Sequence, residues 1–572
     1  MAKILRFENT AELQLRLADG YLSEGNIPYA VQALKNAIDC GGDSSVRMQL
    51  GEVYMRAGLV GPAFDVFAKA YADGDDSTQC LFGLCRTAFF MGYDVESADY
   101  FKQIFLKNLS EFTKNQAIST DIDEMTEEFS AITSMIPDNH GFTFVKNNES
   151  REFSEEAMSL LRENPEKALP YFESIPESSP LYWEARNNVA LINLMLGAVD
   201  EAKAECKRVL SHNDKDVFAL STLLATYSSL RDYVGVERIV KKIESIDIKS
   251  EELIRKVALS MCQSNIHDKA VKYLTLLDEH KYEKSIMLLL AIAYYNTSNV
   301  SKSLAVLRDM QKLYDKDFVM ISDFIRRVSD GVEREIEYSI SMPHNAVLKS
   351  ISRCRKWFGA DYDDVCFDLS GLADVLKSEQ NYKLLYWYLT NHAYMYKSDE
   401  IVLLFRLLET GDERAIGMLT DLLLDGEVED YLKCKAIRVL ISGGWDRRTF
   451  MVKGAKIVFT DPEYPKVWYD AAERGRDIDM LWTEAYSIAY SELMMRHEGF
   501  EKELADVAET VYHNIKNYDT QTIRTPFAIA AVMYRRIKAC EGEKDTAIRE
   551  IFAVSTKTFL KYEKTCFEVK ND

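Results

Sequence analysis

The chain has few of the signatures that carry chemistry. Its 572 residues include 8 histidines, and none falls in H-E-x-x-H or shares a helical face with another at ligand spacing. No C-x-x-C occurs among the 10 cysteines; the nearest approach, Cys80 with Cys85, fits no common zinc site. G-x-x-x-x-G-K-[ST], a strand-linked G-x-G-x-x-G and the G-x-S-x-G elbow are all absent. The familiar nucleotide sites and the serine-hydrolase turn are thereby set aside. The acidic runs Asp361–Asp364 and Glu427–Asp430 lack the Gly and closing Glu of an EF-hand loop. They read as charge placed at helix starts, where it complements the macrodipole. The expectation is a protein with no catalytic residues, no cofactor and no metal: not an enzyme.

Long apolar runs are missing too. No stretch of about twenty apolar residues exists, which argues against a membrane span. Met1 to Phe7 lacks the apolar core and cleavage site of a signal peptide. The cysteines are scattered through apolar segments, as Cys206, Cys262 and Cys434 are, and are expected reduced and buried. A cytoplasmic location follows as the expectation. Net charge is −21, from 70 basic and 91 acidic residues. A field of that sign repels phosphate backbones, so nucleic-acid binding is disfavoured.

What the sequence does hold is a recurring spacing. Ala18 and Ala30, Gly51 and Ala63, Ala190 and Ala202, and Ala258 and Ala270 are small residues twelve positions apart. In one repeat Leu17-Ala18, Tyr21 and Gly25 precede Ala30, Leu34 and Ala37. In the next, Leu50-Gly51, Tyr54 and Gly58 precede Ala63, Phe67 and Ala70. A degenerate third runs Leu84-Cys85, Ala88, Gly92, Ser97, Phe101, Ile104. Successive repeats start about 34 residues apart, and each half is apolar on one helical face. The small residues let paired helices approach closely. The Gly between halves suits a helix C-terminus.

These residues resemble the tetratricopeptide-repeat (TPR) family, whose pattern is W-x2-L-G-x2-Y, then Ala, an aromatic and Pro. The leading Trp and closing Pro are largely missing here. The resemblance covers about residues 10 to 316 with a gap between Phe112 and Asn148. It implies an all-α solenoid, a right-handed superhelix of helical hairpins that binds proteins or peptides. Beyond Lys316 the period dissolves into helices that are weakly HEAT-like. Thr449 to Thr460 reads as two short strands around Gly454. The expected organisation is a TPR block at 1–111, a helix plus connector at 112–148, and a second TPR block at 149–316. Irregular helical hairpins follow at 317–444, a β-hairpin insertion at 445–463 and a helical region at 464–572.

In a TPR superhelix the first helix of each hairpin lines the concave face. Helical spacing then selects Met48, Glu52, Met55 and Arg56, with Phe82, Arg86, Phe89 and Phe90, as a candidate partner-binding groove. Burying about 300 Å² of apolar surface there would contribute roughly 7 kcal/mol gross. The same aromatics could instead pack as core against Phe101 to Phe112. The second block offers a mixed inward set: Asn187, Leu191, Ser221, Ala225, Leu259, Leu288, Ile292 and Tyr295. The carboxylate clamp of some TPR domains is incomplete, represented by Asn187-Asn188 and Arg255-Lys256.

The expected function is a non-enzymatic scaffold holding a protein or peptide partner, of unspecified identity and in an unspecified oligomeric state. A peptide-responsive TPR regulator is the alternative. A second is an enzyme with a site in the C-terminal half, near Trp445, Arg447 and Arg448.

Overall fold

Short polar residues start the first helix of each early hairpin. Thr10 Oγ1 accepts from Leu13 N at 3.2 Å, ahead of α1 (Ala11–Ser23). Asp43 accepts from Ser45 N ahead of α3 (Ser44–Arg56), and Ser77 from Cys80 N ahead of α5 (Thr78–Phe90). Each satisfies a donor that the first turn leaves open. The partner helices are α2 (Ile27–Asp39), α4 (Val60–Ala72) and α6 (Asp94–Lys114). The computed structural model describes residues 10–114, 153, 155–278, 282–339, 344–359, 368–391, 397–428, 430–442, 449–460, 477–497, 500–518, 523–540 and 542–567. Past Lys114, the expected helix plus connector at 112–148 lies outside them, as do Trp445, Arg447 and Arg448.

The chain divides into two compact units. One comprises residues 1–107, 311–323 and 342–572; the other comprises 108–310 and 324–341.

In the first unit the small residues sit where helices meet. Ala18, Ala30 and Ala63 are fully buried. Phe67 of α4 is buried between Gly51 of α3 and Gly83 of α5. The turns inside the hairpins share one hydrogen-bond pattern. Gly58 N donates to Met55 O and Leu59 N to Tyr54 O, at 3.1 and 2.9 Å. The residue that makes this possible has positive φ: Gly25, Gly58 and Gly92, about 34 residues apart. This is a Schellman-type closure, which satisfies carbonyls at the helix end.

After the third hairpin this unit resumes at 311–323, which include the short 3-10 turn Asp315–Asp317, and its next described helix starts at residue 344. Helices include His344–Trp357, Leu369–Leu376, Glu379–Thr390, Lys397–Glu409, Glu413–Leu424 and Asp430–Ser442. Asp477–Arg496, Glu501–Ile515, Pro526–Arg535 and Thr556–Phe567 follow. Aromatics fill their core, among them Trp482, Tyr486, Tyr490, Tyr534 and Tyr388, all essentially inaccessible. Trp482 Nε1 donates to Ala508 O at 3.0 Å and Tyr512 OH to Asp479 Oδ1 at 2.8 Å, so polar edges are met inside. Strands β1 (Thr449–Lys453) and β2 (Lys456–Thr460) pair antiparallel around Gly454-Ala455, with Gly454 at φ 56°. An isolated hairpin is marginal, and this one is anchored. Tyr100 OH of α6 donates to Ala455 O and accepts from Ile457 N, at 2.9 and 3.1 Å. Lys433 Nζ donates to Val452 O at 2.6 Å, and the Phe450 ring meets Tyr71 edge-on.

The second unit repeats the hairpin plan. Tyr182–Met195 pairs with Val199–His212, Val217–Ser229 with Tyr233–Glu244, Glu251–Gln263 with His267–Asp278, and Lys284–Asn296 precedes Val300–Leu313. Ala190, Ala202, Ala258 and Ala270 are fully buried. The left-handed turn position is held by Gly197, then by Arg231, Asn265 and Ser298 at φ 56°, 53° and 64°. The hydrogen bonds persist: Asp232 N to Tyr227 O, Ile266 N to Met261 O and Asn299 N to Tyr294 O, all 2.8–2.9 Å. Both units are therefore built of α-helices, those of 11–107 and of the second unit as repeated hairpins of TPR-like form, and a small β-hairpin is inserted in the first unit. Among the described residues no helix is long and apolar enough to cross a membrane.

Candidate functional site

The strip on α3 and α5 is arranged as two facing rows. Glu52 and Arg86 join them: Arg86 Nη1 donates to Glu52 Oε1 and Oε2 at 3.0 and 3.2 Å. The same guanidinium lies 5.4 Å from the centroid of the Phe82 ring, a cation–π arrangement. Met55, Phe82 and Phe89 are half-buried, while Arg56 and Phe90 are exposed. Phe89 and Phe90 meet edge to face at 5.8 Å. Met48 lies in the core, only 3% exposed. The accessible part of the candidate groove is thus an apolar edge around one internally paired arginine, with Arg56 at its rim.

The inward set of the second unit is mostly enclosed. Asn187, Ser221, Ala225, Leu288, Ile292 and Tyr295 are buried, Leu191 is half-buried, and Leu259 is exposed. The clamp-like residues are engaged within the unit. Asn187 Nδ2 donates to Asp216 Oδ1 at 3.3 Å, and Arg255 is ion-paired to Glu283 at 2.7 Å and to Glu251. Lys256 Nζ sits 4.2 Å over the Phe218 ring, and burial lowers its pKa to about 8.

An arrangement that sequence reasoning missed involves the non-helical segment 331–339, in the same unit. Asn296 reads one residue of that segment from both sides. Its Nδ2 donates to Ile336 O at 2.8 Å, and its Oδ1 accepts from Ile336 N at 2.9 Å. Tyr295 OH donates to Glu333 O. His267 Nε2 meets the Glu335 carboxylate at 2.9 Å, and its Nδ1 is 3.0 Å from Tyr338 OH. Arg327 closes the segment's start with Nε and Nη2 on the two oxygens of Glu333, at 2.6 and 2.7 Å. Ile336 is fully buried. The hairpin ends around Asn296 and His267 therefore hold a non-helical peptide by its backbone and side chains. His267 is a half-buried contact of that segment.

The first unit contains a charged cleft of about 290 Å³ that was also invisible in the sequence. Lys316 Nζ donates to Asp65 Oδ2 at 2.8 Å and to Asp425 Oδ1 at 2.7 Å. Tyr386 OH donates to Asp425 Oδ2 at 2.8 Å, and Gly426 N to Asp65 Oδ1 at 3.1 Å. Lys383 meets Asp315 at 2.7 Å, and Lys35 also reaches Asp315. Burial lowers the Lys316 pKa, but the carboxylates of Asp65, Asp425 and Glu427 outweigh it and hold the amine above its usual range. Its charge is held in place by these carboxylates. Asp65 is held above the usual carboxylate range by burial and by Asp425 beside it, against the pull of Lys316. These groups satisfy one another, so the cleft reads as a clasp between distant segments rather than a reaction centre.

Among the described residues, Cys80, Cys85, Cys206, Cys262, Cys354 and Cys566 are free thiols. Burial pushes the thiols of Cys80, Cys206, Cys262, Cys354 and Cys566 up to about 12, so they stay protonated.

Comparison with known proteins adds little to this description. No protein-family model and no curated protein matches the chain. Among solved structures it is similar to a crystal structure of a tetratricopeptide repeat protein from Parabacteroides merdae. That match has 13% identity and a TM-score of 0.22, and covers 56% of this chain and 98% of that one.

Proposed function

We propose that the chain is a non-enzymatic scaffold that holds a non-helical segment of a protein partner against its TPR-like hairpins. The observation that carries this reading is segment 331–339, seated on Tyr295, Asn296 and His267 of the second unit. Hairpins of this chain already provide the donors and acceptors that a peptide backbone needs. The α3–α5 strip is the surface we assign to a partner. Phe82, Phe89, Phe90 and Met55 supply apolar contact, and Arg56 supplies a charge for an acidic neighbour in the ligand. Methionine and aromatic side chains adapt to ligands of differing shape.

Selection of a displayed random-peptide library on the full-length protein tests the strip. Peptides with apolar anchors are expected to enrich. Their binding should weaken at least tenfold in Phe90→Asp and Phe82→Ala, with circular dichroism unchanged. Failure to enrich any peptide, or equal binding by the variants, would overturn the assignment.

A further inference from the structure

Four polar side chains converge near the C-terminal end of the helix Asp477–Arg496, far from both surfaces above in sequence. His497 follows that helix directly. Cys540 ends the 3-10 turn Lys538–Cys540, and Glu543 comes in the turn after it. Tyr534 belongs to the helix Pro526–Arg535. His497 Nε2 lies 3.4 Å from Cys540 Sγ, 3.2 Å from Glu543 Oε1 and 3.2 Å from Tyr534 OH. The His, Cys and Glu donor atoms all lie within 4.8 Å of one another.

One ring nitrogen makes a single well-aligned hydrogen bond, yet three polar atoms lie within 3.4 Å of it. Nε2 has either one lone pair or one N–H, in the plane of the ring. A shared cation resolves the crowding, because each donor then points its lone pair at one centre. The two separations from the histidine nitrogen fit such an ion. With Zn–S of about 2.3 Å and Zn–N and Zn–O of about 2.0–2.1 Å, tetrahedral zinc holds N and S about 3.6 Å apart and N and O about 3.3 Å apart. The 3.4 and 3.2 Å separations here lie close to those edges.

We propose that His497, Cys540 and Glu543 form a zinc site. The mixed imidazole, thiolate and carboxylate set suits a borderline-soft ion such as zinc better than the hard ions calcium or magnesium. Three protein ligands leave a fourth position for solvent. Tyr534 acts on the site through Glu543: its O–H donates to Glu543 Oε1 at 2.9 Å and orients the carboxylate. The cysteine is buried and the histidine and glutamate are half-buried, so the site is shielded yet reachable. Zinc here would tie the end of one long helix to the turn after another. Neither the repeat pattern nor the scaffold reading calls for this role.

Metal-stripped full-length protein, titrated with zinc against a chromophoric chelator, tests the proposal. One zinc per chain is expected, and cobalt in its place should give a thiolate-to-metal charge-transfer band. Cys540→Ser should lower zinc affinity at least tenfold and remove that band. Cys566→Ser, at another buried thiol, should leave both unchanged. If Cys540→Ser does not fold by circular dichroism, Glu543→Gln takes its place, with affinity at least tenfold lower and the band retained. The proposal fails if wild-type protein takes up no zinc, or if the site variants bind zinc as tightly as wild type. That last result would leave the four side chains as a hydrogen-bonded cluster only.

Discussion

Phe67 sets the tolerance of the first hairpins to a single methyl group. A Cβ added at Gly51 would come 2.4 Å from Phe67 Cζ, and one at Gly83 would come 2.7 Å from the same ring. Real side chains do not approach so closely, and a ring buried on all sides has little room to retreat. Alanine is favoured over glycine in a helix by about 1 kcal/mol, but overpacking a filled core costs about 1–3 kcal/mol. We therefore expect Gly51→Ala and Gly83→Ala to destabilise the protein. Gly20→Ala, also in a helix but with nothing within 4 Å of the added carbon, should stabilise it. Urea denaturation of the three variants decides the matter, and one sign for all of them would refute the packing argument. Gly51 was legible in the sequence because it belongs to the twelve-residue spacing. Gly83 was not, since its small size answers to a ring from the preceding hairpin and not to its own repeat.

At the scale of the element, the repeated unit is the turn as much as the helix pair. Among the described residues, four hairpins place Gly at the left-handed position, and three place Arg231, Asn265 or Ser298 there. For an L-residue with a side chain, that conformation costs about 1–2 kcal/mol, less for asparagine. The two backbone bonds of the turn and the packing of the helices hold it in place. Arg231→Gly and Ser298→Gly should each raise stability by about 1 kcal/mol, while Asn265→Gly should do less. Thermal unfolding would show it, and a loss of stability in the first two would mean that their side chains matter more than their backbone. The substitutions also remove the glycine signal from the later turns. Gly25, Gly58, Gly92 and Gly197 punctuate the early repeats, but in later ones the same turn is written without glycine. The twelve-residue spacing of Ala258 and Ala270 still marked the hairpin that turns at Asn265. The β-hairpin was readable because its alternation and its Gly454 turn are local. Its anchors, Tyr100 and Lys433, are remote or belong to a neighbouring helix, and left no trace.

At the scale of the whole molecule, contacts distant in sequence carry what no periodicity could announce. The zinc-binding cluster joins residues 43 and 46 positions apart, on elements that share no repeat. The charged cleft of the first unit joins Lys69 to Asp421 across 352 residues, and Asp65 to Lys316 across 251. Lys35 belongs to the same system. Burial lowers its pKa, but Tyr54 and Asp315 outweigh it and bring the amine to about 12, from 10.5. A lysine raised in the folded state adds stability that is complete below pH 10.5 and is lost as pH climbs through about 12. The displacement corresponds to about 2 kcal/mol. Wild-type protein should therefore lose about that much over this interval, whereas Lys35→Met should lack this part of the alkaline decline. Denaturant titrations at several pH values would check it, and parallel profiles would dismiss the pairing as a source of stability.

The division of the first unit into three stretches of chain also bears on its synthesis. Asp65 and Lys69 emerge from the ribosome early, yet their partners Gly426 and Asp421 lie more than 350 residues downstream. At about 5–20 residues per second, that is a wait of roughly 20–70 s. Throughout it, the face of α4 that carries Asp65 and Lys69 is without these partners, and the whole second unit is made in the interval. The nascent chain thus completes its inserted unit before its first, and the early hairpins wait longest for their distant partners.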